Sequence, residues 1–219
     1  MQRFFESILK EKGVTLFFIP VIFYWLTTFL TNEFVITDNL LYNSFHGLIP
    51  DGFIEKAISI QHKWIWVGYV ILPLVLLIKY LFVSAFITTG AIFKDVSINF
   101  KNTFKVVMIG EWLFVIVGII NLFVLLFSSI QNISDIQNLD ISTYLSVGTA
   151  ISGIKSIHWL ATPLKTINVS QLIYALLLIF GIKVLTQKST KKLTWVIASY
   201  GSLLLIWTLL LTYINVSYA

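Results

Sequence analysis

Apolar residues gather in five long runs, at about 14–31, 65–89, 106–127, 171–185 and 193–213, and between them lysine, aspartate and asparagine return. Each run is close to the ~20 residues that carry a helix across a hydrocarbon core. The pattern predicts an all-α integral membrane protein, five transmembrane helices in one domain over 1–219. The fourth run is the shortest, with about fifteen residues before Thr186. It suits a short or tilted helix, or one extended backward through Asn168. A four-span arrangement would return the C-terminus to the side of the N-terminus.

The basic residues orient the spans. Arg3, Lys10 and Lys12 precede the first run, Lys56 and Lys63 lie in the first loop, and Lys94, Lys101 and Lys105 lie in the second. Lys155 and Lys165 follow in the third, and the short fourth loop carries Lys188, Lys191 and Lys192 beside Lys183. Lysine favours the cytoplasmic side, so the N-terminus is expected inside and the C-terminus outside. The first run is longer than a signal-peptide core and lacks an Ala-x-Ala exit, so it reads as a retained anchor. Trp64, Trp66, Tyr69, Tyr213 and Tyr218 would stand at the outer headgroup level and Trp195 at the inner one.

Two segments read as short amphipathic interfacial helices. In 1–12, Phe4, Phe5, Ile8 and Leu9 share a face opposite Arg3, Glu6 and Lys10. In 94–105, Val96, Phe100 and Phe104 recur at helical spacing while Lys94, Lys101 and Lys105 line another face. Both are expected to meet lipid headgroups or a cytoplasmic partner. The outer loops, about 33 and 40 residues long, exceed what a connection needs. Short helices at the outer interface fit 139–164, ending near Pro163, although the apolar period there is irregular.

Composition removes the soluble alternatives. With 58% hydrophobic and 11% charged residues and a mean hydropathy of +0.89, too much apolar surface is present for one water-excluding core. The net charge of +5 comes from fourteen lysines and one arginine spread thinly over loops, which argues for headgroup contact and against nucleic acid. The absence of cysteine excludes disulfides, thiolate ligands and cysteine nucleophiles.

Candidate chemistry is sparse. Lys79 and Glu111 are charges inside apolar runs, where an ionisable group is costly unless paired, hydrated or near the interface. Counted from the span ends, they fall at similar depths near the inner face, so an ion pair between antiparallel neighbours is feasible. The alternative is a site that touches a permeating ion, but Asn121 is the only other strongly polar residue of the third run. Ser84, Thr88 and Ala91, with Ala85 and Thr89 beside them, form a small-residue stripe suited to a close helix neighbour. Pro20 and Pro73 each release a backbone carbonyl and are expected to kink their helices.

His46, His62 and His158 fall in outer loops with Glu33, Asp38, Asp51 and Glu55, yet no metal-binding spacing appears, and no metal or cofactor is expected. A loop metal site serving a membrane enzyme is the reading that spacing disfavours. Asn-x-Ser triplets at Asn132, Asn168 and Asn215 all fall outside in this topology and read as coincidence in an Asn- and Ser-rich chain. No phosphate-binding Gly-rich loop, G-x-S-x-G or H-E-x-x-H occurs, nor an inverted repeat of broken helices.

The stretch GAIFKDVSINFKNTFKVVMIGEWLFV, residues 90–115, is similar to the part of bacterial Yip1-domain proteins in which a basic Ser/Phe-rich helix leads into the third span. LIYALLLIFGIKVLTQKSTKKLTWVIASYGSLLLIW, residues 172–207, resembles their final hairpin, with a late glycine and a lysine-rich turn. The long outer loops depart from compact members of the Yip1 family. The resemblance implies a non-catalytic five-helix protein of the bacterial cytoplasmic membrane that binds other integral membrane proteins, some relatives accompanying ABC-type exporters. It supplies no catalytic residues. An accessory or scaffold subunit is therefore expected, with lipids and membrane proteins as partners; a transport or channel subunit using Lys79 and Glu111 is the alternative.

Overall fold

A computed structural model describes residues 7–9, 11–154, 159–186 and 193–217. In chain order its helices are α1 (Gly13–Phe34), α2 (Asp38–Phe45), α3 (Asp51–Ile92), α4 (Phe100–Gly110), α5 (Trp112–Phe127), α6 (Ile133–Leu139), α7 (Ile141–Tyr144), α8 (Val147–Ile151), α9 (Ala161–Leu164), α10 (Val169–Thr186) and α11 (Thr194–Ser217). No strand occurs among the described residues. Helices α1, α3, α10 and α11, and α4 with α5 taken together as Phe100–Phe127, make five that are long and apolar enough to cross a membrane. The chain is a multi-pass membrane protein.

Where the fold departs from the sequence pattern, the reason is local. The first long loop is mostly helix, because α3 runs for 42 residues, about 63 Å at ~1.5 Å per residue against a ~30 Å core. Asp51, Glu55, Lys56 and Lys63 end the apolar run without ending the helix, since water accepts a charged helix face as readily as a loop. Thr37 caps α2 by accepting the Leu40 N–H (3.3 Å), and Gly47, at φ +81°, turns the chain back toward α3.

The amphipathic helix expected over 94–105 does not form as one element. Phe93–Asp95 turns, with Asp95 at φ +50° and the Val96 N–H on the Ala91 carbonyl (2.9 Å), and an extended link follows. Asn99 then caps a new helix by accepting the Lys101 N–H (2.8 Å), so α4 starts at Phe100 and runs directly into the third span. The companion helix over 1–12, with Arg3, Phe4 and Phe5, lies outside the described residues apart from 7–9 and its last two positions.

Both prolines lie within continuous helices. The carbonyl that Pro73 releases, at Tyr69, accepts the Trp25 indole N–H at 2.8 Å, tying α3 to α1.

The second long loop folds into α6 to α9. Asn132 and Asp135 cap α6 reciprocally, and Asp140 and Ser146 cap α7 and α8. Asn121 of α5 donates to Asp140 (2.5 Å) and accepts the Ile141 N–H (3.1 Å), pinning this layer to the third span. Thr166 to Thr208 (3.0 Å) and Asn215 to the Trp159 carbonyl (3.1 Å) pin it to α11.

The buried core is concentrated at the opposite end. It joins Leu16 and Val21 of α1, Tyr80 to Ala91 of α3, Val106 to Ile109 of α4, Tyr174 to Ile182 of α10 and Trp195 to Tyr200 of α11. Helices α3 and α11 approach closely where Gly90 lies against Ser199 and Trp195; a β-carbon there would overlap the Ser199 hydroxyl.

Candidate functional site

Glu111 stands where α4 meets α5, with backbone angles (φ −60°, ψ −24°) that keep the two nearly continuous. Because α4 starts at Phe100, Glu111 is about 16 Å along the helix from its first residue. Lys79 is about 20 Å from the Ile92 end of α3, and Tyr24 about 16 Å from the Gly13 end of α1. All three lie within helices long and apolar enough to cross a membrane.

There they meet. The Lys79 ammonium donates to both carboxylate oxygens of Glu111, at 2.9 and 2.8 Å, and the Tyr24 hydroxyl donates to Oε1 at 2.8 Å. The Lys79 Nζ also lies 4.0 Å from the centre of the Phe114 ring and 5.7 Å from that of Tyr174, a cation–π arrangement. Tyr174 packs on Phe114 and on Tyr200 of α11, with ring centres 5.1 and 5.2 Å apart. The Tyr200 hydroxyl in turn donates to Gln171. Gly110 leaves the room Tyr174 occupies, since a β-carbon would come within 2.7 Å of its ring. All five spans thus reach the pair directly or through one ring.

The electrostatics are lopsided. Only 1% of the Glu111 side-chain surface is exposed, against 33% for Lys79. The carboxylate depends wholly on protein donors, while the lysine stem reaches the protein's periphery. Three hydrogen bonds, two from the Lys79 ammonium and one from the Tyr24 hydroxyl, take up three of the carboxylate's roughly four acceptor positions. The arrangement can hold a buried charge neutral; it presents no nucleophile with an adjacent base.

Other residues singled out from the sequence are placed as follows. Ser84 and Ala91 are buried, and Thr88 turns its hydroxyl inward, but Ala85 and Thr89 face outward, because the helical period puts them on the other side of α3. The small residue that permits close packing is Gly90, which the stripe passed over. Lys105 donates to the carbonyls of Leu9 (2.8 Å) and Glu11 (2.7 Å), and so holds the N-terminal segment in place of a headgroup. Phe104 packs edge-on against Tyr80 (6.1 Å) and stacks with the more exposed Phe100 (6.2 Å). Lys94 and Lys101 are exposed.

His46 contacts Asp51 at 3.0 Å and His62 contacts Asp38 at 2.8 Å, each at the surface. No group of three His, Asp or Glu able to hold a metal occurs among the described residues, and His158 lies outside them. So do Lys10, Lys155, Lys188, Lys191, Lys192 and Tyr218. Above the spans, hydrogen bonding to the Asp51 carboxylate raises the Tyr42 hydroxyl above its usual range, and the backbone N–H groups of Asn132 and Gln131 lower Asp135.

Sequence reasoning missed Tyr24, Phe114 and Tyr174. An aromatic residue in an apolar run carries no mark that separates a ring facing lipid from one facing a buried charge. No family model matches this chain, and neither a curated protein nor a solved structure is significantly similar to it.

Proposed function

We propose that the chain is a non-catalytic accessory or scaffold subunit of a larger membrane complex, associating laterally with other integral membrane proteins such as an ABC-type exporter. In this reading it lies in a bacterial cytoplasmic membrane with its N-terminus inside, its C-terminus outside and the lysine-bearing turns at the headgroups. The observation that carries it is the closure of the Lys79–Glu111 pair. Both carboxylate oxygens are engaged, Tyr24 adds a third bond and two rings cover the ammonium, which supports a pair that holds five helices together. The test is affinity purification from native membranes in mild detergent, with mass spectrometry of what co-purifies. A defined partner at stoichiometric yield supports the reading; a chain that purifies alone overturns it.

One feature favours transport as a second reading. From Lys79 toward the core end of α3, the buried Tyr80 hydroxyl, Ser84 Oγ and Thr88 Oγ1 recur one turn apart without hydrogen-bond partners among the described residues, and the Trp195 indole nitrogen on α11 likewise has none among them. A transport role predicts that exchanging the charges, Lys79→Glu with Glu111→Lys, restores folding and leaves flux abolished.

A further inference from the structure

Serine and threonine hydroxyls inside a helix often close on their own backbone. Thr186, Ser202 and Thr212 do so here, each donating to the carbonyl four residues earlier, at 2.8, 2.7 and 2.8 Å. Ser84 and Thr88 of α3 do not: their hydroxyl oxygens are buried and meet no hydrogen-bond partner among the described residues, and the same holds for the Tyr80 hydroxyl. Tyr80 and Ser84 are wholly shielded, at 0% exposure. Successive members of this row are four residues apart, so the three share one face of α3. On that face the Tyr80 ring packs edge-on between Phe17 of α1 (6.0 Å) and Phe104 of α4 (6.1 Å).

A buried hydroxyl is costly to leave unpaired, and internal water is the partner recruited where protein groups supply none. The spacing suits it. Four residues of α3 advance about 6 Å from Ser84 to Thr88, and one water joined to two hydroxyls by bonds of about 2.8 Å closes a gap of about 5.6 Å. The row presents neutral groups that both donate and accept, the complement of water's own. Thr88 lies only about 6 Å from the Ile92 end of α3. We propose that the seam of α3 with α1 and α4 is a hydrated half-channel, a single file of water along Thr88, Ser84 and Tyr80. The file enters where α3 turns toward α4 and stops at Tyr80, short of the Lys79–Glu111 pair, which keeps its protein donors.

Water-edited solid-state NMR of the full chain in deuterated lipid follows magnetisation from water into carbon. Transfer to the Ser84 and Thr88 β-carbons and to the hydroxyl-bearing ring carbon of Tyr80 is expected to rise several-fold faster than transfer to Ile87, which is equally buried on the same helix. Thr88→Ile fills the entry and should slow transfer to Ser84 and Tyr80 to the Ile87 rate, with unchanged chemical shifts at the buried Ile182 reporting an intact fold. Tyr80→Phe removes only the inner end and should leave Ser84 and Thr88 wet. Transfer in the parent no faster than at Ile87 would mean a dry seam and overturn the proposal, whatever the variants do. So would a folded Thr88→Ile protein that keeps Ser84 and Tyr80 wet, or a Tyr80→Phe protein in which Ser84 and Thr88 dry out. A scaffold and a transport subunit both tolerate a wet seam, so a dry one leaves the co-purification test standing.

Discussion

Replacing Lys79 with Met removes the one cation within ion-pairing distance of Glu111 among the described residues, and keeps the length of the apolar stem. The carboxylate, 1% exposed, is left with the Tyr24 hydroxyl alone. Breaking a buried pair from one side costs about 3–5 kcal/mol, because the surviving charge stays buried and uncompensated. The reverse change, Glu111→Gln, strands a lysine that is already a third exposed and can redirect its ammonium along its stem, so about 1–3 kcal/mol is expected. The double variant Lys79→Met with Glu111→Gln leaves no buried charge and should recover most of the Lys79→Met loss. Reversible unfolding in mixed micelles with increasing dodecyl sulfate measures all four corners of this cycle. The decisive quantities are the asymmetry between the single variants and the recovery in the double one. A Lys79→Met cost below about 1 kcal/mol, or costs that simply add in the double variant, would refute the argument that the pair is a coupled, desolvated unit.

Gly90→Val should destabilise by about 1–3 kcal/mol through overlap with Ser199 and Trp195, whereas Ala85→Val, facing outward on the same helix, should fall within about 0.5 kcal/mol in the same assay. Asn121→Leu leaves Asp140 and the Ile141 N–H short of a partner each and should release α6 and α7, read as faster backbone hydrogen exchange over 131–145 with α10 unchanged. Asp135, whose carboxyl is lowered by the Asn132 and Gln131 N–H groups, stabilises the start of α6 above its unfolded value of about 4. That contribution is lost as pH falls through the lowered folded value, so the two amides should lose protection on acidification, and Asp135→Asn should make their protection nearly independent of pH across this range.

Much of the architecture was legible because hydropathy is a local property. Five apolar runs became five spanning helices, and the weakest of them, 171–185, became the 18 residues of Val169–Thr186. Local chemistry that competes with hydropathy was harder to read. The helix expected over 94–105 gave way to a turn and a fresh start at Phe100, because Asp95 could adopt a left-handed conformation and Asn99 could cap. The charges of 51–63 ended an apolar pattern but not a helix. Ala85 and Thr89 were read with Ser84 and Thr88 because residue size sets a stripe, while only the neighbour's position decides which side of it is used.

The sequence by itself determined that this chain crosses a membrane, roughly where, and that Lys79 and Glu111 are charges needing an explanation there. Those conclusions follow from transfer energies that each segment carries with it. Tertiary structure alone decided that the two charges meet, that Tyr24 adds to the carboxylate's bonding, and that Phe114 and Tyr174 cover the ammonium. These residues are separated by up to 150 positions and share no period. Only the packing of α1, α3, α4, α5 and α10 brings them within hydrogen-bonding or ring-contact distance, where burial makes each contact costly to lose.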